Sequence, residues 1–228
     1  MSLDHLLQRA DVWRGGRLTA AAGRAVPSGY SELDALLPGG GWPQGALTEI
    51  LMPRQGIGAL RLLMPALAQL SHDDRWICWV APPHIPYAPA LVSAGVDLSR
   101  VLLVHPGARQ DGLWAVEQSL RSGNCSAVLA WPTLDEASVM RRLQLAAEAG
   151  DALGFLFRAQ RCVKRPSPAA LRIQLDTHTD GNLSVSILKR RGGWAAGPVH
   201  LDTSLQYGAL ALHSRAATAA GCFQPRQQ

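Results

Sequence analysis

Charge is scarce in this chain, and cysteine is scarcer. Only 17% of the 228 residues are Asp, Glu, Lys or Arg, and the four cysteines (Cys78, Cys125, Cys162 and Cys222) stand far apart with no C-x-x-C pair. Such spacing gives no zinc framework and suits free thiols in a reducing cytoplasm. No stretch approaches the ~20 consecutive apolar residues of a membrane-spanning helix, so no membrane partner is expected. Asp4, Arg9 and Asp11 interrupt the first residues, and a secretory signal peptide is not expected there. His84, His105 and His200 each stand alone, without the paired spacing of metal ligands, so neither a metal nor a cofactor is expected. Ser122 and Ser126 lack the strained elbow and the neighbouring base of a nucleophilic triad.

What is present is an apolar content of 47%, enough for one full core. Leu3, Leu6, Leu7, Ala10 and Trp13 recur at helical spacing behind Ser2 and predict a short amphipathic helix, a candidate for self-association or partner contact. A small-residue linker follows to Pro27, so residues 1–26 read as helix plus linker. Leu33, Leu36 and Leu37 mark a short helix stopped by Pro38-Gly-Gly-Gly41. Apolar strands are predicted at Ala46–Leu51, Trp76–Ala81, Val101–Val104, Cys125–Trp131 and Gly154–Phe157. Helices are predicted over Leu60–Ala68, Leu113–Ser122 and about Asp135–Ala149, with Asp135-Glu136 at the last N-terminus. Buried-strand runs alternating with amphipathic helices imply an α/β fold with a mostly parallel central sheet and helices on both faces. Ala170–Thr177 and Leu183–Lys189 alternate instead, around His178-Thr-Asp-Gly-Asn182, which predicts a hairpin and an antiparallel C-terminal extension. The core spans 27–208, and 209–228 read as an Ala-rich helix with a polar tail.

Aromatic residues make up 6% of the chain, yet seven are Trp. Trp76, Trp79, Trp114 and Trp131 lie in or beside core elements and read as packing. Trp42 and Trp194 sit beside glycine in loops, where exposure is expected.

Met52-Pro53-Arg54-Gln55-Gly56-Ile57-Gly58-Ala59 occupies the place of a phosphate-binding loop, between a predicted strand and a predicted helix. A working loop reads G-x-x-x-x-G-K-[ST], with the Lys on the terminal phosphates and the hydroxyl on Mg²⁺. Here Met52 and Ile57 replace the glycines, Gly58 the Lys, and Ala59 the Ser/Thr. The turn is kept without the groups that do its chemistry, and no ATPase activity is expected.

The net charge of +5 is unevenly spread. Phe155–Leu201 holds eight basic residues and two acidic ones, a local excess of six. Lys164, Arg165, Lys189, Arg190 and Arg191 in that window are the candidate contacts for DNA or an acidic partner.

The passage Pro27–Ile50, then Ala94-Gly-Val-Asp97, Val104-His-Pro106, Val185–Arg191 and Tyr207-Gly208, resembles the RecA recombinase core in order and spacing. Within that superfamily, Gly39–Glu49, Pro53–Gly58 with Leu60–Ala66, and Leu188–Gly192 are most similar to the ImuA family of translesion-synthesis accessory proteins. The resemblance implies a single RecA-like domain and puts Pro83 in the slot of the water-activating Glu and Trp131 in that of the Mg²⁺-supporting Asp. Neither can do that work. It also implies a non-catalytic adaptor of the DNA-damage (SOS) response. Its expected partner is an inactive Y-family-polymerase-like protein (ImuB-like), with RecA, the error-prone polymerase subunit and DNA as further candidates. Its expected location is the cytoplasm, at the nucleoid in part. The same branch includes SulA-like cell-division inhibitors, which resemble a trimmed RecA core and bind FtsZ; that is the alternative reading.

Overall fold

A computed structural model describes residues 24–132, 136–178 and 182–203. The expected N-terminal helix of Leu3, Leu6, Leu7, Ala10 and Trp13 lies outside the described residues, as do Asp135, Tyr207-Gly208 and the expected C-terminal helix and tail.

The sheet is organised around β3 (Ala46–Met52), every residue of which is buried. It runs parallel to β7 (Leu153–Ala159) on one side and to β8 (Leu171–Thr177) on the other. Eight strands follow the order β10-β9-β8-β3-β7-β6-β4-β5, where β4 is Trp76–Val80, β5 Val101–Val104, β6 Cys125–Ala130, β9 Leu183–Arg190 and β10 Ala196–Leu201. From β8 to β5 all pairs are parallel, whereas β8–β9 and β9–β10 are antiparallel. Two-residue strands β1 (Ala25–Val26) and β2 (Trp42–Pro43) pair beside it. Helices cover both faces. Leu33 of α1 (Ser31–Asp34), Leu62, Leu63 and Leu67 of α2 (Ala59–Leu70) and Leu91 of α3 (Ala88–Ser93) join one core. Val116 and Leu120 of α4 (Arg109–Arg121) and Met140 and Leu143 of α5 (Ala137–Gly150) join the other. Among the described residues no helix is long and apolar enough to cross a membrane.

Several expectations needed correction. β10 carries Gly197 and Pro198 and shows no alternation; an edge strand tolerates proline because one side of its backbone needs no ladder bond. α3 was hidden in a proline-rich stretch, yet its Pro89 falls in the first turn, where no N–H donor is needed. Trp42 is fully buried, edge-on to Phe155 at 5.5 Å. The glycine beside it serves close packing: a Cβ on Gly41 would lie 2.2 Å from the Val26 carbonyl oxygen. Trp114, by contrast, is 65% exposed. α5 starts behind Glu136, whose side chain makes no capping bond.

Two local devices compensate for polar groups in this core. Pro65 lies inside α2 and has no N–H for the carbonyl four residues back. That carbonyl, on Arg61, accepts from the Tyr30 hydroxyl at 3.3 Å. The larger device is Glu49, fully buried on β3. Its carboxylate accepts from Arg158 Nη1 on β7 at 2.7 Å and from Arg172 Nε on β8 at 2.5 Å. Ser167 Oγ adds a third donor at 3.0 Å, and Arg172 also donates to the Cys162 and Val163 carbonyls. Two residues of the basic window are therefore interior ion-pair partners.

Removing one member of such a group leaves uncompensated buried charge. Glu49→Gln should lower stability by about 3–5 kcal/mol in urea unfolding. A loss below ~1 kcal/mol would contradict a buried, shared carboxylate.

Candidate functional site

β3 delivers the chain to the carboxyl edge of the sheet, where open α/β sheets place their ligand crevice. Pro53–Gly58 then bends it into α2, the strand, turn and helix that the sequence predicts. Gly56 and Gly58 hold φ of +80° and +92°, where a Cβ would be strained. Gly58 is the helix N-cap and offers no side chain; its carbonyl accepts from Arg61 N at 2.8 Å and Leu62 N at 3.3 Å.

The slots that would carry phosphate or metal chemistry are filled by apolar groups. Ile57 and Ala59 are buried in the core beneath α2. Trp131, just beyond β6, stacks on Phe157 with centroids 4.5 Å apart and planes within 8°. Trp79 lies 6.0 Å from it, tilted by 33°. An indole stack thus stands where an acidic metal-supporting group would. Pro83 is exposed in the loop after β4. Met52, Gln55, Gly56, Gly58, Ala59, Pro83 and Trp131 all line one cleft of about 330 Å³. The structure brings the turn and both lost slots together.

The rim was not foreseen. Pro82-Pro83-His84-Ile85-Pro86-Tyr87-Ala88-Pro89 fixes φ at four of eight positions, and Ile85 and Tyr87 are 79% and 73% exposed on it. Large apolar side chains on a stiff, exposed loop make it a candidate for partner contact. The dense prolines were the legible signal.

The basic candidates do not form one patch. Successive residues on β9 face opposite sides of the sheet. Arg190 turns toward α1, donating to the Leu36 carbonyl and, at 2.8 Å, to the Trp194 carbonyl. Lys189 donates to the Ser167 carbonyl at 2.7 Å, and Arg191 Nη2 reaches Glu148 of α5 at 3.4 Å. Desolvation, with the Arg172 charge next, holds the Lys189 pKa below the ordinary lysine value. Lys164 and Arg165 are exposed at the turn after β7. The sequence reading missed Glu49 as the shared partner of Arg158 and Arg172; the signal was those two arginines inside apolar runs. Among the described residues no group of three His, Cys, Asp or Glu could hold a metal ion.

A family model described as cell division inhibitor SulA matches residues 45–154. The chain is 37% identical over 116 residues to the cell division inhibitor SulA of Photorhabdus laumondii, covering 50% of this chain and 65% of that protein. It therefore spans just under two thirds of that relative's length. It is 33% identical over 122 residues to SulA of Serratia proteamaculans, covering 53% of this chain and 72% of the relative. The crystal structure of SulA from Pseudomonas aeruginosa aligns at 28% identity over 49% of this chain and 97% of that one, with a TM-score of 0.42.

These matches correct the ImuA assignment. The matched segment contains the turn, the proline-rich loop and Trp131, so Pro53–Gly58, Leu60–Ala66 and the last five residues of Gly39–Glu49 fall inside the SulA match and do not single out ImuA. The translesion-synthesis adaptor and its RecA-like label fall with it. So do the Y-family-polymerase-like (ImuB-like) partner and the RecA, error-prone polymerase and DNA contacts inferred beside it. In Leu188–Gly192, the remaining passage, Arg190 contacts the Leu36 carbonyl and Arg191 contacts Glu148 of α5.

The family is one of inhibitors, and this chain is not an enzyme. Incubation with ATP and Mg²⁺ should release phosphate no faster than a protein-free control. Turnover that disappears in Gly58→Val would contradict this.

Proposed function

The chain belongs to the SulA family of cell division inhibitors, and from that membership we propose that it blocks division by binding FtsZ in the cytoplasm, as part of the SOS response. The observation that carries the proposal is the family match over 45–154, which encloses most of the aromatic cleft and the whole of the Pro82–Pro89 loop. The docking face is the cleft together with Ile85 and Tyr87 at its rim. A proline-stiffened loop loses little conformational freedom on binding, so more of the contact energy appears as affinity. Tyrosine is among the residues that most often dominate an interface. The degenerate turn shapes one wall of this face and binds no nucleotide in the mechanism. The described core, flanked by the segments at 1–26 and 209–228, acts as one unit in this reading.

Purified chain should reduce the FtsZ that sediments with GTP in proportion to its concentration. Ile85→Asp and Tyr87→Asp should each weaken that effect by about tenfold or more, the cost of an interface anchor. Thermal unfolding should be nearly unchanged, because both side chains are exposed. Full inhibition by both variants would move the docking face elsewhere. No inhibition by the unmodified chain at any concentration would contradict the function.

A further inference from the structure

The two ends of the sheet differ in how they meet solvent. At one end β10 carries Gly197 and Pro198, and its register with β9 slips between Ala196 and Val199. Proline and a bulge on an edge strand keep a further strand from adding. β5 forms the other end, and its Val101-Leu102-Leu103-Val104 holds no proline, glycine or charge. Leu102 is 45% and Leu103 38% exposed, one on each face of the sheet, and Leu98 just before the strand is exposed as well. An uncharged, apolar edge of this kind is a template for another strand.

The backbone fixes the register that such a strand takes. The Val104 carbonyl accepts from Ala81 N at 2.9 Å, so Val104 turns its backbone groups toward β4. Hydrogen-bonding direction alternates along a strand, so Leu102 faces β4 too, and the N–H and C=O of Val101 and Leu103 point out of the sheet. Among the described residues, no strand other than β4 pairs with β5. An antiparallel second copy centred here sets Leu103 opposite Leu103, where the pair exchanges both backbone hydrogen bonds. Val101 then lies opposite His105 of the other copy, and Leu102 opposite Val104. Apolar side chains meet across the join, and the two Arg100 side chains stand at its opposite ends.

We propose that β5 is a self-association edge, through which two copies of this chain join antiparallel into one continuous sheet with Leu103 at the two-fold axis. An in-register parallel copy would set Arg100 beside Arg100, and like charges directly opposite are destabilising. Addition of β5 to β10 would run on from copy to copy as a fibre, and Pro198 and the bulge stop it. The β5 to β5 join closes after two copies and leaves no open apolar edge. Neither Leu102 nor Leu103 lines the aromatic cleft, so the inference stands apart from the docking reading.

The test is the mass of the full chain in sedimentation equilibrium from about 1 to about 100 µM, the range in which a small interface associates. The mass should rise with concentration from one copy to two and no further. Leu103→Lys should weaken association about tenfold or more, because two added charges meet at the axis. Leu103→Pro should do the same: the ring replaces an N–H that faces outward, so the ladder to β4 is kept and thermal unfolding remains one cooperative transition. Cys78, Cys125 and Cys162 are buried, so crosslinking needs only a Cys222→Ser background. There Leu103→Cys should give a disulfide-linked dimer on air oxidation, since opposed hydrogen-bonded residues have Cα atoms about 5.5 Å apart. Leu145→Cys, on α5 and more exposed, should not.

A chain that stays monomeric across the range would overturn the proposal, as would a dimer that either Leu103 variant leaves intact. A mass that climbs past two copies would overturn the closed pair. A monomer whose inhibition of FtsZ sedimentation is lost in Leu103→Lys would assign the edge to FtsZ and overturn the second copy as its occupant. Dimerisation that both variants weaken, in a chain that leaves FtsZ untouched, supports the edge while the docking reading fails alone.

Discussion

The Glu49 carboxylate ties β7, β3 and β8 together from inside the sheet. Each of these strands contributes one charged residue to a layer that is otherwise hydrocarbon. The geometry satisfies the group: the two carboxylate oxygens accept from two guanidinium groups and a serine hydroxyl. Arg172 then spends its remaining donors on the Cys162 and Val163 carbonyls, which fixes the turn after β7. Through that turn the interior ion group positions Arg161, and through Lys189 and Ser167 it reaches the edge of β9. Buried ion groups of this kind are weak contributors to stability compared with well-packed hydrocarbon. Their value here is placement, since they join three strands and the turn after β7.

Around that frame the carboxyl edge of the sheet keeps the shape of a phosphate-binding crevice and reverses its polarity. A nucleotide site needs donors and a cation where charge accumulates. This one offers a buried isoleucine, an alanine methyl and an indole stacked on Phe157. Gly56 and Gly58, neither of them in a motif glycine slot, are needed because the backbone turns through positive φ there, a demand of geometry that does not depend on chemistry. A cleft with an aromatic floor and a rigid apolar rim is suited to receiving another protein's side chains.

Periodicity made most of the architecture legible. Continuous apolar runs mark buried parallel strands, and alternation marks the β8–β9 hairpin, because each pattern follows directly from which faces are covered. Local composition misled where a residue had a second use. Proline obscured α3 and β10, glycine beside Trp42 signalled close packing and not exposure, and the run Lys189-Arg190-Arg191 is split among Ser167, Leu36 and Glu148. The empty chemical slots could be read in the sequence because they are statements about residue type. The shared carboxylate could not, since it depends on three strands distant in sequence becoming neighbours. The ImuA resemblance failed because most of its passages, from Gly45 to Ala66, lie in the segment that the SulA family model matches.

The most direct test of the account is a site-specific photocrosslink to FtsZ, with benzoylphenylalanine at position 87 and, as a control, at position 194, where Trp194 is equally exposed. The account predicts an adduct with FtsZ from position 87 that unmodified chain competes away, and none from position 194. An adduct from position 194 alone, or from neither position under conditions where the chain blocks FtsZ assembly, would contradict docking through the cleft and its proline-rich rim.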